Sequence, residues 1–122
     1  MGNCLIVRKL GGGVLKNTTE LLNVWNSRLS KGNNNSPVRT FDIPYDGILM
    51  YFECNHEDTE NPSIQTFPTL EGVEKELYRA FTFRDEGAFI IALVRKGATV
   101  KVPAHTIGGN YPNLRQIAVL IH

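Results

Sequence analysis

The fold is decided by residues 40–55, which read TFDIPYDGILMYFECN. Pro44 and Gly47 bracket a turn, because proline restricts the backbone and glycine accepts a positive φ. The residues after the turn alternate between two faces of a strand. One face carries Ile48, Met50, Phe52 and Cys54, and the other carries Leu49, Tyr51, Glu53 and Asn55. Because the first face is wholly apolar, we expect it to point into the core, and we expect another strand, loop or subunit to cover the second face near Leu49 and Tyr51.

Further strands follow this one, separated by turns. The run 88–94, AFIIALV, is almost continuously apolar, which is typical of a central strand. Alternating apolar residues predict strands from about Leu77, over 98–102 and over 114–121. The pattern predicts an all-β, antiparallel sandwich of about seven to eight strands, in which the segments 48–54 and 88–94 lie side by side.

Composition limits the classes of function. A chain of 122 residues with a formal net charge of +1 is one domain, and its charge gives no case for nucleic acid or an anionic membrane as a partner. We find no secretory signal, no span long and apolar enough for a bilayer, and no motif for a cofactor. The two cysteines, Cys4 and Cys54, have no metal-ligand spacing, so we expect small buried thiols.

The first third of the chain is harder to interpret. Residues 14–29 place leucines and Trp25 at helical spacing but contain mediocre helix formers, so we predict a short helix or an irregular segment. Residues 30–37, SKGNNNSP, indicate a surface loop. We therefore divide the chain into an amino-terminal arm or attachment segment, residues 1–37, and a sandwich domain, residues 38–122.

Two turn motifs carry a resemblance to a known family. They are FDIPYDGILMYF at 41–52 and VRKGATVKV at 94–102, followed by a final apolar strand. In this order they resemble the jelly-roll domains of phage fibres, and the same order of motifs occurs in complement C1q and tumour necrosis factor-like trimers. The resemblance covers residues 38–122, although Ala98 stands where the family often has an acidic residue.

The resemblance implies a non-enzymatic, homotrimeric component of a virion, made in the host cytoplasm: a head fibre, a capsid decoration protein or a tail-tip protein. Leu49, Tyr51 and Ile90 are candidates for the interface between copies. The amino-terminal segment would contact other virion proteins. Loops 56–69 and 105–111 would meet a host glycan or protein, and their candidate surface residues are His56, Phe67, His105 and Tyr111.

Two other classes stay open. A cupin-like metal enzyme would use His56 and Asp58, spaced His-x-Asp, with His105 as a third ligand. A carbohydrate-binding module would stack sugars on exposed aromatic side chains, for which Trp25, Tyr45 and Tyr111 are candidates. No serine or cysteine lies in a nucleophile signature, so we expect no hydrolase.

Overall fold

The computed structural model describes residues 18–56, 63–64, 67–83 and 87–122, with the backbone alone for His56, Ser63, Ile64 and Phe83. These residues form antiparallel strands and contain no helix. The strands are β1 (Thr19–Arg28), β2 (Asn34–Asn35), β3 (Arg39–Asp42), β4 (Gly47–His56), β5 (Ser63–Ile64), β6 (Tyr78–Phe83), β7 (Gly87–Val94), β8 (Thr99–Val102), β9 (Thr106–Gly108) and β10 (Asn113–Ile121). The all-β prediction is confirmed.

The main layer is a five-stranded sheet in the order β1-β10-β4-β7-β6. Its centre is the pair β4 and β7, in which Ile48 lies opposite Leu93 and Glu53 lies opposite Ala88. The predicted neighbours 48–54 and 88–94 are therefore paired, as expected from two long apolar strands that each need a partner.

The second layer consists of the antiparallel pair β3–β8, with a small sheet in the order β2-β9-β5. The side chains of β3 and β8 pack onto the inner face of the five-stranded sheet. The core cluster comprises Phe41, Ile43, Leu49, Tyr51, Leu70, Ile90, Val94, Val100, Val102, Ala118 and Leu120. This two-layer packing is consistent with a β-sandwich.

The secondary structure of residues 19–28 differs from the one predicted for this segment. Residues 19–28 form a strand, and β1 pairs with β10 from Thr19 opposite Ile121 to Arg28 opposite Asn113. Trp25 packs against the core, so its helical spacing reflects a strand with a register shift between Leu21 and Asn23. The prediction of a short helix or an irregular segment is wrong for residues 19–28, which form a strand paired with β10 of the predicted sandwich domain. Residues 1–17, including Cys4, lie outside the described residues.

The two faces of β4 are the reverse of those predicted. Leu49, Tyr51 and Glu53 are completely buried, whereas Phe52 is half-buried and Cys54 is exposed. Both faces begin apolar, so alternation alone could not distinguish them. The polar side chains that accompany Leu49 and Tyr51 are tolerated inside because other strands supply hydrogen-bond partners, described below.

The two turn motifs meet at one end of the sandwich. The backbone N–H of Lys96 donates to Asp46 Oδ1 at 2.7 Å, and that of Gly97 donates to the carbonyl oxygen of Ile43 at 2.8 Å. Gly97 has a φ of 87°, which suits glycine. Gly47 is not among the positive-φ glycines, contrary to expectation, and a Cβ there would collide with the carbonyl oxygen of Ile121. Glycine is required at 47 by close packing of the backbones.

The first and last described residues lie side by side. The N–H of Thr18 donates to the carbonyl oxygen of His122 at 2.9 Å, and the N–H of His122 donates back to Thr18 at 2.9 Å. The two ends of the described chain therefore meet at one corner of the five-stranded sheet. Across the described residues, no helix could cross a membrane.

Candidate functional site

The surface of the five-stranded sheet that points away from β3–β8 is apolar over most of its width. We call it the outer face. Its members follow from the register and the alternation of the strands. They are Leu21 and Val24 on β1, Ile117, Val119 and Ile121 on β10, Ile48, Met50 and Phe52 on β4, Phe89, Ile91 and the buried Leu93 on β7, and Phe81 on β6.

One row of the outer face is apolar in all five strands. It runs through Val24, Ile117, Phe52, Phe89 and Phe81. The rings of Phe52 and Phe89 stack at 4.8 Å between centroids, and those of Phe81 and Phe89 at 5.8 Å. Val24 and Phe81, at the two edges, are 44% and 51% exposed. The row is therefore open to solvent from one edge of the sheet to the other.

Charged side chains lie at the border of the outer face. Arg79 ends one row on the edge strand β6, and Arg115 lies opposite the exposed thiol of Cys54 one row beyond Ile117. The apolar part spans five strands in one row, four in the next and three in the third, a plan area of roughly 400 Å² at ordinary strand spacings. That area lies within the range for the largest apolar patch on a monomer, about 300–600 Å².

A second unusual feature is a polar cluster inside the sandwich. His105 Nε2 donates to Glu53 Oε2 at 2.5 Å, and the Tyr51 hydroxyl donates to Glu53 Oε1 at 2.5 Å. Gln116 Nε2 donates to the Tyr51 oxygen at 3.0 Å and to Glu53 Oε1 at 3.3 Å. Arg39 Nε in turn donates to Gln116 Oε1 at 3.1 Å. Strands from both layers thus contribute to one hydrogen-bonded network.

The network continues on the other side of His105. Its Nδ1 lies 2.9 Å from Ser36 Oγ and 3.1 Å from the carbonyl oxygen of Pro103. The backbone N–H of His105 also donates to Ser36 Oγ at 2.9 Å, and that of Ser36 donates to the His105 carbonyl at 2.8 Å. Ser36, between β2 and β3, and His105, between β8 and β9, are thereby tied to β4.

Burial and hydrogen bonding set the protonation states in the cluster. Burial lowers the pKa of His105, but the Glu53 carboxylate and the Pro103 carbonyl outweigh it and raise the pKa above the ordinary value. Burial, with Glu53 as hydrogen-bond acceptor, raises the pKa of the Tyr51 hydroxyl far above its usual range. Tyr51 therefore serves as a neutral donor, and His105 keeps its second ring proton to a higher pH than an ordinary histidine, because its pKa is raised.

Ser36, His105 and Glu53 are linked by hydrogen bonds in the sequence serine–histidine–carboxylate, as in the catalytic triad of a hydrolase. Their burial shows whether Ser36 can act as a nucleophile. Ser36 is 3% exposed, His105 is 6% exposed, and Glu53 is completely buried. The serine oxygen already accepts the N–H of His105. A substrate carbonyl has no route to a hydroxyl enclosed in this way, so the arrangement joins elements of the fold.

The residues predicted to lie between copies are in the core of the single chain. Leu49, Tyr51 and Ile90 are each completely buried. They point to the inner face because the true inner and outer faces of β4 are the reverse of the expected ones, and Ile90 pairs with Tyr51 on that same side. As contact residues for another copy, these three were the wrong choice. The outer face is the surface that sequence reasoning missed.

The predicted surface-loop residues separate into different environments. Tyr111 is 49% exposed, with a φ of 53° and the guanidinium of Arg28 above its ring. Phe67 packs against the core, and His105 is buried in the polar cluster, so neither is a free surface side chain. The side chain of His56 lies outside the described residues.

The structure does not bring the three proposed metal ligands together among the residues that it describes. Of the three proposed metal ligands, His105 is engaged by Glu53 and Ser36, while Asp58 and the His56 side chain lie outside the described residues. Within the part of the chain that the structure describes, no group of three or more His, Cys, Asp or Glu residues could hold a metal ion.

The aromatic side chains proposed for sugar stacking do not share a surface. Trp25 packs against Phe41 with ring centroids 5.8 Å apart, on the core side. Tyr45 is exposed and stacks on His122, beside the start of β4, whereas Tyr111 precedes Asn113, which lies opposite the end of β4. A ten-residue strand separates them by about 30 Å. Tyr45 and Tyr111 cannot form one stacking platform.

Comparison with known proteins identifies no relative: no family model, no curated protein and no solved structure matches the chain.

Proposed function

We propose that this chain is a non-enzymatic structural subunit that assembles with copies of itself through the outer face. The observation that carries the proposal is the row Val24–Ile117–Phe52–Phe89–Phe81, which is apolar across the whole sheet. Burying such a surface is favourable by about 25 cal/mol per Å² of apolar area, and leaving it in water promotes association.

Further copies of the chain are the occupants that fit this surface best. The outer face is uncharged, with Arg79 and Arg115 at its rim, so three copies can bury it by packing their outer faces together around a three-fold axis. Standard interfaces take about 800 Å² from each partner, with an apolar centre and a polar rim. The outer face, roughly 400 Å² in plan, would supply the apolar centre of such an interface.

In its specific form, the proposal is a homotrimeric jelly-roll component of a virus particle, either a fibre or a decoration protein. Support for the jelly roll comes from the pairing of β1 with β10 and of β10 with β4, which are long-range antiparallel pairs of the kind Greek-key connections produce. Support for the virion comes from the PYDG and RKGA motifs, which contact each other through Asp46 and Lys96. The burial of the polar cluster supports a role without catalysis.

The experiment compares Val24→Lys with Val38→Lys by sedimentation equilibrium. Both valines are exposed, at 44% and 53%, but Val38 lies before β3 and outside the outer face. We expect the wild type and the Val38→Lys variant to be trimers, and Val24→Lys to shift toward monomer by at least tenfold in the association constant. A wild type that stays monomeric at micromolar concentration would contradict self-assembly.

The virion assignment has its own test. Antibodies against the chain should label virus particles purified from lysed host cells, and the chain should be recovered from those particles in multiples of three copies. A chain that assembles as a trimer but is absent from purified particles would leave the assembly intact and refute the virion role.

A further inference from the structure

The Glu53–His105 pair crosses between the two layers of the sandwich. Glu53 belongs to β4, in the five-stranded sheet, whereas His105 lies on the connection from β8 to β9. Ser36, which His105 binds twice through its backbone, begins the connection from β2 to β3. One ion pair therefore holds two connections of the second layer against the main sheet.

The geometry around the imidazole favours a ring with protons on both nitrogens. Nε2 faces the Glu53 carboxylate at 2.5 Å, and Nδ1 faces the Pro103 carbonyl oxygen at 3.1 Å. Both of these groups are acceptors only. Ser36 Oγ, also near Nδ1, already accepts the backbone N–H of His105 at 2.9 Å. An imidazolium donates to the acceptors on both sides of the ring.

Loss of one proton removes the positive charge from this environment. A neutral ring with its proton on Nε2 keeps the bond to Glu53, and its Nδ1 can accept the Ser36 hydroxyl, 2.9 Å away, so the hydrogen bonds persist and the change is one of charge. The Glu53 carboxylate, which is completely buried, then loses its adjacent positive charge. An uncompensated charge in the interior is strongly unfavourable.

No other described cation lies close enough to replace His105. The titratable and charged groups that face the pair in the described part of the chain are Tyr51, from β4, and Arg39, from β3. Tyr51 donates a neutral hydroxyl to Glu53, and Arg39 reaches the cluster through Gln116. Arg39 is also engaged by Ser27 and lies over the Trp25 ring.

We propose that Glu53 and His105 form a proton-dependent clasp, which holds the β2–β9–β5 sheet and its connections onto the main sheet while His105 is protonated and loosens when the proton leaves. The part that loosens includes the turn from β9 to β10, which carries the exposed Tyr111. This device is independent of the proposed assembly, because the cluster lies on the opposite side of β4 from the outer face.

The direction of the pH dependence follows from linkage. A histidine whose folded-state pKa is raised stabilises the fold fully below its unfolded value of 6.5, and that stabilisation is lost as the pH rises through the folded value. Each unit of difference changes the folding equilibrium constant about tenfold between the acidic and alkaline limits. The protein is therefore expected to be more stable at pH 6 than at pH 9.

The first measurement uses the wild type alone. The ring of His105, assigned in isotope-labelled wild type through its bonds to its own Cβ and backbone, is expected to titrate with a midpoint above 6.5. The amide signals of Ser36 and Gly109 should shift with the same midpoint, because both residues lie in the segments that the clasp holds. A midpoint at or below 6.5, or amides that do not follow the ring, would overturn the proposal.

The second measurement is urea unfolding between pH 5.5 and 9.5. The wild-type midpoint should fall as His105 titrates, and His105→Gln should remove most of that fall. The matched control is His122→Gln, because His122 pairs with Glu20 at the partly exposed edge, 3.1 Å away, and its loss should leave the profile unchanged in shape. A flat wild-type profile, or one that His122→Gln flattens instead, refutes the clasp. If His105→Gln does not fold, the wild-type ring and amide titrations decide.

Discussion

At the scale of single residues, the most informative position is Glu53, where the interior of the protein holds a type of side chain that is usually exposed. Glu53 belongs to a class that is rarely buried, yet it is completely enclosed because Tyr51, Gln116 and His105 all donate to it. Two of these donors, His105 and Gln116, are themselves held by further hydrogen bonds, so a change at one member affects the others and the cluster behaves as one unit.

Removing both members of the ion pair should cost less than the two single removals added together. We expect Glu53→Leu and His105→Leu each to lower the free energy of unfolding by about 3 kcal/mol, because each leaves its partner buried without a counterpart. The double variant should lose less than the sum of the two. Urea unfolding of the three variants at pH 6 measures this coupling, and simple additivity would show that the pair does not act as a unit.

Gly47 is predicted to reject any side chain. Gly47→Ala places a Cβ against the carbonyl oxygen of Ile121 and should destabilise the protein by about 1–3 kcal/mol. Gly32→Ala is the control, since Gly32 has open space around it and only its φ of 106° opposes a side chain. Thermal unfolding should rank Gly47→Ala as the more damaging. The reverse order would mean that the β4 and β10 backbones can separate at this point.

At the scale of elements, the two turns between β3 and β4 and between β7 and β8 stabilise each other. Asp46 accepts the N–H of Lys96 and lies 3.9 Å from the Arg95 guanidinium. The two turns connect the layers at the same end, so the contact fixes where β3–β8 lies on the main sheet. This is a physical reason for the two motifs to occur together in one chain.

The contribution of Asp46 should be measurable. Asp46→Ala removes a charged acceptor from a backbone N–H, and we expect a loss of about 1 kcal/mol in the free energy of unfolding. Glu71→Ala is the matched control, because Glu71 makes only a long surface ion pair through its side chain, 4.0 Å from Lys101. That change should be close to neutral. Equal effects of the two substitutions would show that the turn contact adds nothing beyond surface charge.

At the scale of the whole molecule, one sheet face closes the core and the opposite face remains apolar. We expect self-association to persist or strengthen in about 1 M sodium chloride, because salt screens charges but does not weaken apolar contacts. Sedimentation at low and high salt measures this. Dissociation by salt would show that the charged rim, including Arg79 and Arg115, holds the copies together.

The sequence predicted part of this architecture and not the rest, for identifiable reasons. The run AFIIALV and the turns PYDG and RKGA have short-range signals, so the pairing of β4 with β7 followed from them. The direction in which β4 faces did not, because apolar residues occupy both of its sides at Ile48 and Leu49. The buried polar cluster could not be predicted either, because its members are far apart along the chain. His105 lies 52 residues after Glu53, and Gln116 lies 63 residues after it. The carboxylate of Glu53 within an apolar strand indicates that a buried polar site is present, but it does not indicate which residues bind it.

The mutual backbone hydrogen bonds of Thr18 and His122 have a practical consequence for engineering. Because these residues are neighbours in space, a linker of a few residues should join them and allow new chain ends to be opened at a surface turn such as 95–98. Any cargo fused beyond His122 would emerge beside Thr18, at the corner of the sheet where β1 begins.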